Sequence, residues 1–561
     1  QILDWLNVAG RVRIDNTHSE YEGKLYASSS NTLTDGSTQG HYTVNNGQYS
    51  QTYADVLVNI NKRIQDFTIV ANIGASYSGV TSKELGYAGP IRETGIPNLF
   101  NVYDLDNAKK RATQVGWREA TESVFASAEV GWKSMLYLTV TGRNDWASQL
   151  THSPQASFFY PSVGLSAVIT EMLKLPDWVD YLKVRGSFSS VGNPYPRFLT
   201  YPTYSYDANK QDWKSQTNYP IGKLYPERTD SWEIGLDATL FKDFKLSGSF
   251  YYANTYNQTF DPRLPVSSGY DKLYVQTGYV RNYGFEAMLS YGHRWGDFSW
   301  DSSFTFSANK NEIVELVKDY VHPETGKTYN VDKLELKTDE GRGFGKAKFI
   351  LKEGGTLGDL YTHADLKRDI NGNILIDDSG NVTAIDNAGD IKLGSVLPKA
   401  NLAWNNSFSY KGINAGFLLT ARLGGIVYSA TQAYLDLYGV SETSAAARDA
   451  GGVWVNGRSR VNPQSFYEVV ASQSGLPTYY TYSATNLRLQ EAHIGYTIPR
   501  RWLGNVCDIN VSLVGRNLWM IYCKAPFDPE AVATTNNYYQ GIDYFMMPST
   551  RNIGFNIKIN F

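Results

Sequence analysis

The chain has 561 residues, 42% hydrophobic, 19% charged and 14% aromatic, with 41 Tyr, 13 Trp and a formal net charge of −3. That balance leaves no basic footprint for nucleic acid, and no apolar run reaches the roughly 20 residues a transmembrane helix needs. Abundant Tyr and Trp fit a transmembrane barrel, with its lipid-facing half, watery lumen and aromatic girdles, or a glycan-binding all-β surface protein.

The start, Gln1-Ile2-Leu3-Asp4-Trp5, has neither the basic beginning nor the apolar core of a signal peptide. From there one unit recurs: a strand, a short polar turn, a returning strand, then a longer loop. Leu6 to Ile14 opens it, with Leu6, Val8, Gly10, Val12 and Ile14 on one face and Asn7, Ala9, Arg11 and Arg13 on the other. Tyr53–Ile60 and Phe67–Ala75 follow, then Ser123–Gly131 with Met135–Arg143, and Pro161–Ile169 with Leu182–Ser189. In the second half come Ser231–Leu240 with Phe244–Asn254, Gly284–Gly292 with Phe298–Asn309, Ala400–Tyr410 with Asn414–Leu423, and Asn486–Thr497 with Asp508–Leu518. The last strand, Arg551 to Phe561, alternates without a break and matches a tilted membrane-spanning strand of about 9–11 residues.

This makes about sixteen strands, an even number as single-chain bacterial barrels require. Short turns alternate with long connections near 78–120, 192–229, 311–398, 424–485 and 524–550. Short turns on one rim and long outer loops on the other are the pattern of an outer-membrane barrel, and a soluble sandwich has no reason to keep it. The fold class expected is therefore all-β: a transmembrane, antiparallel, up-and-down β-barrel. The long loops are expected outside the cell and residues 1–561 inside one barrel region. Cys507 and Cys523, if on one strand, are about 50 Å apart and beyond disulfide reach.

Loop residues supply the remaining candidates. Asp369, Asn371, Asn373 and Asp377 place oxygen donors at alternate positions, as a calcium loop does. Ile374 stands where that loop needs glycine, however, and Asn371-Gly372 reads directly as a hairpin turn. Aromatics cluster at Trp454, Tyr479, Tyr480, Tyr482, Tyr538, Tyr539 and Tyr544. Such rings stack on sugars, pack on a partner protein, or build girdle and loop core. Polar positions of the final strands, Asn510, Ser512, Arg516, Asn556 and Lys558, are expected to line a lumen. No zinc-protease, Cys-His, nucleophile-elbow or phosphate-loop signature is present, so neither enzyme chemistry nor a cofactor is expected.

Four tags then carry a family resemblance. Pro226-Glu227-Arg228-Thr229 with Glu233-Ile234-Gly235 resembles the "PERT…EIG" segment of SusC/RagA-type TonB-dependent transporters. Residues 276–286 resemble their "N-x-G-x-x-x-N-x-G-x-E" segment, with Gln276 where Asn is usual. Asn486 through Leu518, including Gly495-Tyr496-Thr497-Ile498-Pro499 and Gly515-Arg516-Asn517-Leu518, matches the closing block, and Phe527-Asp528-Pro529-Glu530 continues it. The resemblance implies an outer-membrane barrel of about 22 strands, of which this chain holds the sixteen C-terminal ones, with the plug domain outside this sequence. It further implies import of oligosaccharides, or peptides in the RagA branch, with a SusD-like surface lipoprotein and the TonB-ExbB-ExbD system as partners. A structural or adhesive barrel, or a passive pore, is the competing reading.

Overall fold

The structure, a computed structural model, describes residues 2–199, 204–207, 212–215, 218–219, 224–260, 272–321, 326–336, 345–534 and 540–561. Sixteen of its strands form one sheet in strict sequence order. They are β1 (Leu6–Tyr26), β2 (Gly40–Ile64), β3 (Phe67–Pro90), β4 (Arg111–Trp132), β5 (Leu136–Ala147), β6 (Phe158–Val168), β7 (Val179–Asn193), β8 (Glu227–Leu240), β9 (Phe244–Phe260), β10 (Val275–Trp295), β11 (Phe298–Glu315), β12 (Ala400–Tyr410), β13 (Ile413–Leu423), β14 (Asn486–Ile498), β15 (Asp508–Cys523) and β16 (Asn552–Asn560). The chain forms two compact units, one of Gln1–Leu165, Phe188–Thr229 and Leu264–Gln276, the other of Ser166–Ser187, Asp230–Arg263 and Thr277–Phe561.

In the first unit the registers of β1 to β5 run without a slip, so facing rows are fixed along their full length. One face carries exposed Val12, Val56, Ile73 and Val124; the other carries buried Asp55, Ser123 and Asp145. Arg11 meets Asp55 at 3.0 Å and Arg143 meets Asp145 at 2.7 Å, so the charges of the polar face are paired within it. The turn after β4 holds Lys133 and Ser134 at φ 50° and 58°, the left-handed pair that matches the twist of a tight hairpin. The expected loop over 78–120 is corrected: β3 continues to Pro90 and β4 begins at Arg111. Beyond the apolar band both faces of a hairpin meet water, so the apolar–polar alternation that reveals a strand disappears while the ladder continues.

In the second unit β10 to β16 pair antiparallel through short turns. Aromatic rings gather beside these turns: Trp178 stacks on Phe241 at 5.6 Å and Trp295 on Phe298 at 5.9 Å. Lys411 lies 5.4 Å from the Tyr410 ring. Amphipathic rings with lysine at one end of the strands form an interfacial belt. Two long connections carry structure of their own. One holds a four-stranded sheet of Lys333–Glu335, Ala347–Lys352, Asp359–Thr362 and Ile391–Ser395. The other holds helices Ala430–Leu437, Glu442–Asp449 and Pro463–Val470. The last starts where Asn462 accepts from Gln464 N at 2.9 Å, with Pro463 in the first turn, both favourable there. Leu366, Val382, Val455, Phe466, Val470 and Leu476 join the two connections in one hydrophobic core. Both cysteines are free.

Candidate functional site

The polar face of the second unit is built from strand alternation. In β8, Trp232 and Ile234 are exposed on one side, while Glu233, Gly235 and Asp237 lie on the other. Arg185 of β7 reaches Asp237 at 2.8 Å and Glu233 at 3.3 Å, and Ser247 of β9 donates to Asp237 at 2.6 Å. Gly235 leaves room between the two acids for the Arg185 guanidinium, which a Cβ there would meet at 2.5 Å and displace. The Glu-Ile-Gly tag is thus a seat for an arginine of the neighbouring strand, with Ser247 of the next strand bonded to the same Asp237. The second tag works similarly. A Cβ on Gly284 would meet Ala308 O at 2.3 Å and the Tyr251 hydroxyl at 2.5 Å. Beside it Asn311 donates to Asn282 at 2.9 Å and accepts from Leu357 N at 2.8 Å, tying strand to loop. A cavity of about 810 Å³ lies along this face, with Arg185, Ser247, Glu286, Thr305, Asn401 and Arg422 in its wall.

The five polar positions expected to line a lumen share one face. Asn510 pairs with Lys558, Ser512 with Asn556, and Arg516 with Asn552, while Ile509, Val511 and Leu513 face Ile559, Ile557 and Phe555 on the other side. Arg516 meets Glu491 of β14 at 3.0 Å. A register shift at Gln490 restores this face after Arg488, so Arg488 and Glu491 point the same way although their numbers differ in parity.

Arg488 is the anchor that sequence reasoning left without a role. Its side chain is 6% exposed and grips Asp528 with two nitrogens, at 2.8 and 3.2 Å, and Glu530 with one, at 3.3 Å. Asn486 completes the clamp by donating to Glu530 at 3.1 Å. Burial acts to raise the Asp528 pKa, but the Arg488 bonds and the Glu530 N–H outweigh it and hold the carboxyl below its ordinary value. The signal was present in the sequence, because the closing block and the Phe-Asp-Pro-Glu tag supply the two halves of the clamp.

The loop aromatics divide. Tyr480 is 2% exposed and donates to Asp436 at 2.9 Å, so of the roles open to the loop aromatics it takes that of loop core and not that of a binding surface. Its hydroxyl pKa is raised, first by burial and then by Asp436. Tyr479 packs on Phe466 at 6.1 Å. Tyr482 stacks edge-on against Phe527 at 5.5 Å, and burial pushes its hydroxyl up to about 12. Trp454 remains 55% exposed under Arg460, whose guanidinium lies 4.6 Å from the ring. Tyr544 sits beside Tyr434 at 6.4 Å. Tyr538 and Tyr539 lie outside the described residues.

The oxygen-rich segment forms two turns. The Asp369 carboxylate accepts from the N–H groups of Asn371 and Asn373, both at 2.8 Å, and Asp377 accepts from those of Ser379 and Asn381, both at 2.9 Å. Gly372 at φ 85° and Gly380 at φ 82° take the left-handed corner of each. Among the described residues no three His, Cys, Asp or Glu side chains converge as metal ligands.

An antiparallel sheet in sequence order, polar on one face and apolar on the other, with an aromatic belt at the short turns, defines a membrane β-barrel. Residues 3–518 match the family described as "TonB dependent receptor-like, beta-barrel", and the chain belongs to that family of outer-membrane proteins. It is 24% identical over 524 residues to TonB-dependent receptor P3 of Formosa agariphila, covering 86% of this chain and 50% of that protein. It is 24% identical over 433 residues to TonB-dependent receptor SusC of Bacteroides thetaiotaomicron, covering 71% of this chain and 40% of that protein. The chain thus spans about half the length of the Formosa relative. The fold matches the RagAB peptide transporter with a TM-score of 0.74 at 17% identity, covering 100% of this chain and 60% of that one. The closed-closed state of the RagAB peptide importer gives 0.76 at 18%, covering 100% and 61%.

Proposed function

We propose that this chain is the barrel portion of an energy-coupled outer-membrane importer that takes up oligosaccharides. The observation that carries the reading is the polar face running through Arg185, Asp237, Asn510, Arg516 and Lys558, backed by an apolar face on the same strands. Such a face lines an aqueous path. The loop region held by Arg488 and Asp528 is the surface for a SusD-like lipoprotein, with Trp454 and Tyr544 offering rings to sugar or partner. β1 and β16 stand at the two ends of the sheet order, and hydrocarbon does not tolerate open strand edges. The reading therefore includes further strands and a plug, on the same or a separate chain, driven by TonB-ExbB-ExbD. Peptide is the second substrate class, supported by the likeness to the RagAB peptide transporter.

The test is uptake of labelled oligosaccharides and oligopeptides by cells expressing the protein, with and without functional TonB. Import of the oligosaccharides, abolished without TonB, is expected; TonB-dependent import of the oligopeptides alone would establish the second substrate class instead. Flux that is indifferent to TonB would establish a passive pore instead, and binding without flux an adhesive barrel.

A further inference from the structure

Three long connections of the second unit meet around one cavity. Lys346, Lys348 and Asp386 come from the connection between β11 and β12, Tyr434 and Gln473 from that between β13 and β14, and Tyr544 from that between β15 and β16. The cavity holds about 560 Å³, within the roughly 300–1,000 Å³ of small-ligand sites. One part of its wall is strained. Gln473 and Ser474 take φ of 50° and 74°, a left-handed pair without glycine, and such strain persists only where the surroundings fix it. Here the buried Tyr428 hydroxyl donates to Ser474 O from beneath, and Gly345 passes so close that a Cβ would run into Gln473 O. The turn leaves the Gln473 side chain exposed at the cavity.

The charges of the wall are already paired. Lys346 meets Asp386 at 2.9 Å and Lys348 meets Glu335 at 2.7 Å, while the His363 ring lies 2.9 Å from Asp390, itself 2.6 Å from Lys333. An anionic ligand would meet these carboxylates as well as the lysines, so the cavity offers it little net attraction. Nor does the wall offer a peptide a strand edge: Ala347–Phe349 pair with Leu360–Thr362 on one side, and Phe349 O accepts from Leu336 N on the other. What remains is a hydrogen-bonding rim beside aromatic rings. Lys346 keeps N–H donors beyond the one given to Asp386, and the Asp386 side chain, 76% exposed, keeps acceptor positions. Tyr434 and Tyr544, with centroids 6.4 Å apart, supply the ring faces.

We infer that this cavity is a subsite for uncharged sugar units, which rests on the oligosaccharide reading above. A sugar ring lays its apolar C–H face on a tyrosine, while neighbouring hydroxyls accept from Lys346 and donate to Asp386 without breaking the ion pair. The exposed Gln473 amide serves a further hydroxyl. Paired charges thus favour a ligand that is polar and neutral.

The experiment measures binding to the whole protein in detergent, with neutral, sulfated and uronate oligosaccharides and oligopeptides as probes, beside TonB-dependent uptake of the same probes by cells. Three variants are compared with the wild type. Lys346→Gln with Asp386→Asn removes the ion pair, Tyr434→Leu removes a ring but keeps apolar bulk, and Asp378→Asn on an exposed turn is the control. Affinity for the neutral oligosaccharides is expected to fall by about tenfold in the first two and to stay at the wild-type level in the third. Should a variant misfold, hydrogen exchange of the wild type keeps the question decidable: a neutral oligosaccharide is expected to slow exchange at residues 345–348 and 472–475. With oligosaccharide uptake intact, unchanged affinity in both cavity variants, tighter binding of the sulfated or uronate probes, or no slowing at these residues would each overturn the subsite alone. Uptake of oligopeptides only would overturn both the subsite and the reading beneath it.

Discussion

Arg488 shows what a buried charge does in this molecule. With Asp528 and Glu530 around it and only 6% of its side chain exposed, it replaces water by three charge-assisted contacts. Arg488→Met keeps the length of the side chain and removes the charge, leaving Asp528 buried without its partner. The expected cost to the docking of residues 524–534 is about 3–5 kcal/mol, read as faster hydrogen exchange in that segment with the exchange of β15 unchanged. The same pair sets a pH dependence. Because the folded Asp528 pKa is depressed, its contribution is full above the unfolded carboxylate value and is lost as pH falls through the lower folded value. Protection of this segment is therefore expected to be flat at neutral pH and to fall in acid below the usual carboxylate range. Arg516 and Lys558 test the polar face instead. Replacing both with Gln is expected to lower uptake of an anionic substrate several-fold, with assembly intact, since neither is buried. Unchanged uptake would count against their place on the path.

At the scale of elements, the alternation of apolar and polar residues located every strand of the sheet, because one face of each must meet hydrocarbon. It located their inner ends better than their outer ones. β12 was predicted with its observed bounds, Ala400–Tyr410, whereas β2 and β3 run 25 and 24 residues, far past the predicted segments. Past the apolar band the requirement that wrote the pattern is gone. The same limit hid the helices and small sheet of the loops, whose core at Phe466 and Leu476 follows a different periodicity and joins residues far apart in sequence. Parity also fails at the shift beside Gln490, where one extra residue brings Arg488 and Glu491 to the same face. Tyr480 was unreadable for a related reason: a tyrosine in a loop has the same letters whether its ring faces water or, as here, Asp436 in the loop core.

At the scale of the whole molecule, the family was legible because its tags are structural joints. Gly235 seats Arg185, Gly284 admits Tyr251, and Asp528 closes on Arg488. Each joint needs particular residues at particular spacings, which is what makes a tag readable in one sequence. Substrate choice has no such fixed spacing, since it rests on surface residues brought together by loop folding.

The strict sequence order of the sheet has one further consequence. Every pairing in it joins a strand to the strand before or after it in the chain, so closure of each hairpin needs no distant segment to be in place already. Assembly then proceeds as a zipper, in which each added strand finds its template in the one just laid down, and the chain entropy lost at each step is that of a single connection. The long loops raise that cost only slowly with their length, which leaves them free to be elaborated while the order of insertion stays the same.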